Sequence, residues 1–141
     1  MTITFEKFTS VQIEQVFDVA TDFESFQNKM GNFFPSIRII SVRPNTTLVE
    51  EHINLAGKEM VVMAKHIIEK PTLHETFIVG GDAKGSHITE NFQQTSNGTK
   101  ITITVDFKYK GKMRLSGMFS KGKFENEFPK IYDKLILIAE S

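Results

Sequence analysis

Six consecutive stretches of the chain alternate between apolar and polar residues, and this feature restricts the possible folds most strongly. In order, they are Ser36–Arg43, Thr47–Ala56, Lys58–Glu69, Leu73–Val79, Gly85–Gln94 and Lys100–Lys110. A period of two residues is typical of β-strands that bury one face. Turn residues separate the stretches, and Asn97-Gly98 between the last two is a strong hairpin signal. The pattern therefore predicts an antiparallel meander in which each strand pairs with the next.

The residues before the meander predict one more strand and two short helices. Residues 2–6 alternate as a strand. A stripe with helical spacing follows, consisting of Ile13, Val16, Phe17 and Ala20. Phe23, Phe26 and Met30 then share one side of a second helix, which Gly31 is suited to end.

After the meander, the chain returns to a helical pattern. Its apolar residues are spaced by four, three, four and three positions: Phe124, Phe128, Ile131, Leu135 and Ile138. This stripe predicts an amphipathic helix that packs on the sheet. Pro129 lies within the stripe and should kink the helix or divide it into two segments.

The order of these elements predicts an α+β fold. A seven-stranded, curved antiparallel sheet would wrap around a long C-terminal helix, with two short helices between the first and second strands. A curved sheet contacts such a helix mostly at its ends, so we expect a cavity between them. With 141 residues, the chain has the size of one ordinary domain, and a single domain over residues 1–141 is expected.

Composition excludes several kinds of site. The chain has no cysteine, which excludes disulfides, a thiol nucleophile and a zinc–cysteine site and fits a reducing, cytoplasmic compartment. The N-terminus has no signal-peptide pattern, and no apolar stretch is long enough to suggest a membrane span. The spacing of the four histidines matches no metal motif, so neither a metal nor a cofactor is expected.

Three parts of the sequence resemble a known superfamily. They are VFDVATDFESFQNKM, LAGKEMVVMAKH and GTKITITVDFKYKG. The Val16-Phe17 pair in the first helix and Asp22 at the start of the second resemble START-like, helix-grip (SRPBCC) proteins, which include polyketide cyclases, coenzyme Q-binding proteins and lipid-transfer domains. The resemblance implies a pocket for an apolar molecule. It implies no particular catalytic residues, because this superfamily shares no universal catalytic set.

Alternation also predicts which side chains face the cavity. In Lys100–Lys110 the apolar set is opposed by threonines, lysines and an aspartate, so the apolar set should point inward. The same reasoning applies to Lys58–Glu69 and Gly85–Gln94. Together with the helix stripe, it predicts a ligand site lined by Met60, Val62, Ala64, His66, Ile88, Glu90, Phe92, Ile103, Val105, Phe107, Tyr109, Phe124, Phe128, Ile131 and Leu135.

Polar residues at inward positions require an explanation, because an isolated buried charge is costly. Glu90 and His66 are the candidates, and three roles remain open for them. They could form a buried hydrogen-bond network, contact a ligand, or serve as a general acid–base pair. A further ambiguity concerns Thr47–Ala56: apolarity favours the register that places Glu51 inside and His52 in solvent, whereas a bulge would reverse it.

The charges of the chain are unevenly distributed. Residues 1–106 contain 9 Lys and Arg against 13 Asp and Glu, and residues 107–141 contain 8 against 4. One basic segment holds Lys108, Lys110, Lys112, Arg114, Lys121 and Lys123. It is either a solvated surface or a docking surface for anionic membrane lipids or a phosphorylated ligand. A nucleic-acid surface is not expected, because the chain is neutral overall and lacks exposed aromatic platforms.

Three classes of function follow from these observations. The first is binding or transport of a hydrophobic small molecule, such as a lipid, a quinone or a polyketide-like aromatic, in the internal cavity. The second is a cyclase, dehydratase or hydrolase that uses Glu90 and His66. The third is a protein-interaction module that binds through a sheet edge or the basic segment.

Overall fold

The computed structural model describes residues 1–109 and 120–141. Within them, seven strands form one antiparallel sheet in the order β1-β7-β6-β5-β4-β3-β2. The predicted meander from β2 to β7 is therefore confirmed, and β1 pairs with β7 at the opposite edge. The strands are β1 (Thr2–Thr9), β2 (Ser36–Arg43), β3 (Thr46–Leu55), β4 (Lys58–Glu69), β5 (Leu73–Gly81), β6 (His87–Thr95) and β7 (Gly98–Asp106).

The last strand is shorter than the alternation predicts. It ends at Asp106 rather than continuing to residue 110, which lies outside the described residues. After Asp106, the backbone N–H groups of the next two residues bond to acceptors outside β6. The amide of Phe107 donates to the carbonyl of Met1 at 2.7 Å, and the amide of Lys108 donates to Oγ of Ser86 at 2.8 Å. The second bond replaces a strand-to-strand bond with a side-chain acceptor, so the regular ladder stops.

The helices occupy the predicted positions. They are α1 (Ile13–Ala20), α2 (Phe26–Lys29), α3 (Lys121–Glu127) and α4 (Pro129–Glu140), and a 3₁₀ turn over Phe23–Ser25 precedes α2. Pro129 is the first residue of α4 and separates it from α3, which confirms the predicted division. A proline is tolerated there because the first amide of a helix has no partner within the helix. Among the described residues, no helix has the length and apolarity needed to cross a bilayer.

The helices cover the concave face of the curved sheet. All four apolar residues of the α1 stripe are buried, and α1 packs against β6, β7 and α4. The ring of Phe17 contacts that of Phe92 edge to face, with centroids 4.9 Å apart. The last helix buries Ile131, Tyr132 and Leu135. This arrangement confirms the helix-grip fold and leaves one region between the sheet and α4 where the side chains do not meet.

Candidate functional site

A cavity of about 90 Å³ lies between the concave face of the sheet and the helices. This volume corresponds to about three water molecules, at roughly 30 Å³ each in the liquid. Its wall is almost entirely apolar. Most of the residues predicted to face it do so: Met60, Val62, His66, Ile88, Glu90, Val105, Phe107, Phe124, Phe128, Ile131 and Leu135.

Four of the predicted lining residues do not reach this space: Ala64, Phe92, Ile103 and Tyr109. Three of them, Ala64, Phe92 and Ile103, are buried, so their predicted inward orientation is correct. Phe92 is covered by α1 through Phe17, so that end of the sheet forms solid core. The single methyl group of Ala64 is fully covered, and Tyr109 lies beyond the end of β7, against the ring of Phe107.

Part of the wall was not predicted. The short helices before β2 contribute Phe26 and Met30, whose shared helix face is readable from the sequence although its target is not. Apart from four polar residues on β3, β5 and α4 that are described below, the remainder comes mostly from positions near the ends of elements and in turns, where alternation is less informative. These further lining residues are Ala20, Phe34, Ile53, Leu55, Ile78, Ala83 and Ser86.

The register of β3 settles the open choice between Glu51 and His52. Glu51 is buried, with 4% of its surface exposed, and it lines the cavity. His52 lies on the outer face, where its Nδ1 is 3.5 Å from a carboxylate oxygen of Glu59. The neighbouring Glu50 also points outward and pairs with Arg38. Hydrogen bonding to this guanidinium lowers the pKa of Glu50, and the same bond raises the pKa of Arg38.

Five side chains of the cavity wall form one continuous series of hydrogen bonds, which we call the buried polar chain. It consists of Glu51, His66, His74, Glu90 and Tyr132. Nε2 of His66 lies 2.6 Å from Oε2 of Glu51, and Nδ1 of His66 lies 2.8 Å from Nε2 of His74. Nδ1 of His74 lies 2.7 Å from Oε1 of Glu90. The hydroxyl of Tyr132 donates to Oε2 of Glu90 at 2.5 Å.

Strand register brings these residues together from four strands and a helix. His74 on β5 lies directly opposite Glu90 on β6, and Thr76 lies opposite His66 on β4. The hydroxyl oxygen of Thr76 is 3.1 Å from Nδ1 of His66. The ring of Phe23 stacks on His66 with centroids 4.0 Å apart, so an apolar group fixes the orientation of the imidazole.

Burial determines the protonation state of Tyr132. Removal from solvent raises its pKa well above the usual value, and the nearby carboxylate of Glu90 raises it further. The phenol therefore keeps its proton and serves as a hydrogen-bond donor to Glu90. The predicted helix stripe does not include Tyr132, although this residue follows Phe128 by four positions and Ile131 by one.

Another histidine–glutamate pair lies away from this site. His87 pairs with Glu75 at 2.8 Å on the outer face of the sheet. Residues 1–109 and 120–141 contain no cluster of three or more His, Asp or Glu side chains that could hold a metal ion.

The predicted basic segment is only partly described. Lys108 lies near Asp106 and Lys121 near Glu125, at 3.5 and 3.8 Å, and Lys123 is exposed. The other members, Lys110, Lys112 and Arg114, lie outside the described residues. Membrane contact through this segment stays a prediction.

Comparisons with known proteins agree with this architecture. The family model described as "polyketide cyclase / dehydrase and lipid transport" matches residues 9–136. No curated protein matches the chain by sequence. Among solved structures, the protein TTHA0849 from Thermus thermophilus has a TM-score of 0.84 at 16% identity, with both chains covered completely.

Two further solved structures show the same fold at lower identity. The Zhui aromatase/cyclase from Streptomyces sp. R1128 has a TM-score of 0.77 at 10% identity, covering 99% of this chain and 93% of its own. The ginseng major latex-like protein 151 from Panax ginseng has a TM-score of 0.77 at 7% identity, with coverages of 99% and 97%.

Proposed function

The chain belongs to the polyketide cyclase / dehydrase and lipid transport family, and we propose that it binds a hydrophobic small molecule in the cavity between the sheet and α4. A lipid, a quinone or a polyketide-like aromatic would suit this site. The observation that carries the proposal is the composition of the wall, in which apolar side chains from the sheet and the helices surround one short chain of hydrogen-bonded polar side chains. Sites for small molecules are typically apolar with a few placed polar groups. The family match over residues 9–136 also supports a single START-like domain.

The cavity must widen to accept such a ligand. At about 90 Å³ it is smaller than an apolar cavity of about 150 Å³ that binds benzene in another protein. The wall segment best suited to move is α3, which has seven residues and buries only Phe124. Pro129 at the α3–α4 boundary has no backbone amide to donate back into α3. We therefore place the opening at α3, with Phe124 leaving its stacked position between Phe107 and Phe128.

An enzyme that uses Glu90 and His66 is the second candidate, and the hydrogen bonds favour it less. Both nitrogens of His66 and both oxygens of Glu90 already contact other members of the buried polar chain. Neither residue has a free atom to offer a substrate. The substitution Glu90→Gln separates the two functions. Loss of turnover at an almost unchanged melting temperature would support catalysis, and a change that only lowers the melting temperature would mean that Glu90 is structural.

The direct experiment on binding combines native mass spectrometry with a matched pair of variants. Protein purified from its own host should carry a non-covalent apolar ligand, and emptied protein should bind the uncharged fluorescent probe 1-aminoanthracene. Ile88→Phe puts a larger side chain on the cavity wall and should weaken probe binding, whereas Ile40→Phe makes the same change at an exposed position. Empty protein that binds no apolar probe, or equal effects of the two variants, would contradict the proposal.

A further inference from the structure

Four members of the buried polar chain, the two carboxylates and the two imidazoles, share three hydrogen-bonding protons. Each of the three contacts that link Glu51 to His66, His66 to His74, and His74 to Glu90 needs one proton, because two bare acceptor atoms at hydrogen-bond distance repel each other. Two neutral imidazoles supply two protons, and the third resides on an imidazole or a carboxyl group. With three protons, these four side chains together carry one negative charge wherever the third proton lies.

If these four side chains took up a fourth proton, only one atom could hold it. No contact between members of the chain can hold two protons, since the two facing donors would collide. Oε2 of Glu90 is already occupied by the hydroxyl of Tyr132. In the part of the molecule that the structure describes, no hydrogen bond reaches Oε1 of Glu51, although Oε2 of the same carboxylate is paired with His66. Glu51 lines the cavity, and Oε1 is not sealed off by protein atoms.

This oxygen therefore meets the cavity as an unpaired acceptor that belongs to a negatively charged group. The other polar side chains of the wall already have partners: the hydroxyl of Ser86 bonds to the backbone of Lys108, and that of Thr76 lies against His66. None of the described cavity-lining residues is a lysine or arginine that could neutralise the charge. A buried acceptor left unpaired costs free energy, so a ligand that supplies a donor at this point gains affinity.

Building on the proposed function, we infer that the ligand is an apolar molecule with one weakly acidic hydroxyl group, and that this hydroxyl donates to Oε1 of Glu51. Donor counting favours a hydroxyl over a protonated amine. An ammonium group has three N–H donors, and two of them would lack acceptors in this wall, whereas a hydroxyl has one donor and needs one acceptor. The rest of the ligand would lie against Phe26, Met30 and Phe34.

Small aromatic probes of nearly equal size test this assignment. Phenol carries the donor, anisole replaces it with a methyl ether, and benzylamine carries an ammonium group. Calorimetric or NMR titration of the wild-type protein should give at least about tenfold tighter binding of phenol than of anisole, as a hydrogen bond to a charged acceptor provides. The comparison is stringent because anisole is the more apolar molecule, so transfer from water alone favours anisole.

Two adjacent substitutions locate the acceptor. In Glu51→Gln the amide oxygen is expected to keep the bond to His66 and turn its NH₂ group toward the cavity, so the preference for phenol should vanish or reverse. Glu50→Gln changes the neighbouring outward carboxylate, which pairs with Arg38, and should leave the preference intact. The wild-type comparison needs neither variant and therefore stands if Glu51→Gln does not fold.

The possible results separate this inference from the proposed function. Equal binding of phenol and anisole, or tighter binding of benzylamine than of phenol, would overturn the hydroxyl assignment while the cavity keeps its role as an apolar site. Retention of the full phenol preference in Glu51→Gln would overturn the choice of anchor. Failure of all three probes to bind would count against the proposed function itself.

Discussion

Nδ1 of His66 lies 2.8 Å from Nε2 of His74, inside the fold and away from solvent. This direct bond between two imidazoles links two buried carboxylates, because His66 also bonds to Glu51 and His74 also bonds to Glu90. Each of the four side chains is a hydrogen-bond partner of the next one in the series. Any change to one member must therefore affect all the others.

Replacing His74 should destabilise the fold strongly, because it leaves His66 and Glu90 buried with one partner fewer each. We expect His74→Ala to lower the free energy of unfolding by about 3–5 kcal/mol, as for other broken buried pairs. His87→Ala is the matched control, since His87 pairs with Glu75 on the partly exposed outer face and should cost less than about 1 kcal/mol. Urea unfolding measures both. Similar losses for the two variants would mean that the buried polar chain contributes nothing special to stability.

Alkaline pH should destabilise the protein through Tyr132. An unfolded tyrosine loses its proton near pH 10.0, whereas burial and Glu90 raise the pKa of Tyr132 well above that value in the folded state. Above about pH 10 the folded state therefore binds a proton that the unfolded state lacks, and the free energy of unfolding falls as pH rises. Below this pH the contribution is complete.

The Tyr132→Phe variant should remove this part of the alkaline decline. Tyr109→Phe is the control, because Tyr109 is only half buried and lies outside the cavity wall. Unfolding free energies measured from neutral to strongly alkaline pH give the two slopes, and phenolate absorbance reports ionisation directly. Ionisation of Tyr132 in the folded protein at the pH of an ordinary tyrosine would contradict this prediction.

Enlarging the cavity should lower the free energy of unfolding and allow an aromatic ligand to bind. Phe124 lines the cavity and is almost completely buried. We expect Phe124→Ala to cost about 3–5 kcal/mol and to create space for an aromatic guest. Saturating toluene should then restore part of the loss, about 2.7 kcal/mol at a hundred times the dissociation constant.

Phe92→Ala provides the comparison for this prediction. Phe92 is equally a buried phenylalanine, but it packs against Phe17 and does not line the cavity. The truncation should cost a similar amount of stability. Thermal unfolding is measured with and without toluene, and equal rescue of both variants would show that toluene binding is not specific to the space lined by Phe124.

The surface pair Arg38–Glu50 offers a test on the outer face of the sheet. Hydrogen bonding to Arg38 lowers the pKa of Glu50, so the pairing is lost as pH falls through that lowered value. Arg38→Met should raise the pKa of Glu50 toward the ordinary value of 4.5, as carboxyl NMR titration would show. Binding of phenol should be unaffected. A change in phenol affinity would mean that the outer face is coupled to the cavity.

Much of this architecture is readable from residue spacing. Alternation predicts the meander and the inward direction of Glu90 and His66, because their strands carry apolar neighbours at every second position. The apolarity of Val49 and Leu55 correctly favours Glu51 over His52 as the buried residue. Pro129 correctly predicts where the last helical segment divides.

The partners of these residues could not be predicted in the same way. The inward face of β5 carries His74 and Thr76, whereas its outward face carries Phe77 and Val79, so hydrophobicity points in the wrong direction. The bond between Tyr132 and Glu90 joins residues 42 positions apart. Such a contact depends on sheet curvature and on the position of the helix, and the spacing of residues within one element does not specify either of them.

The most direct test of the account is an NMR measurement of which methyl groups touch a bound apolar probe. With methyl-labelled protein and toluene, we predict nuclear Overhauser effects from the probe to Val62 and Leu135, which line the cavity. The adjacent outward-facing methyls of Val61 and Leu137, 39% and 60% exposed, should show none. Effects confined to Val61 and Leu137, or no effects at any methyl group at saturating toluene, would contradict the proposal that the cavity is the binding site.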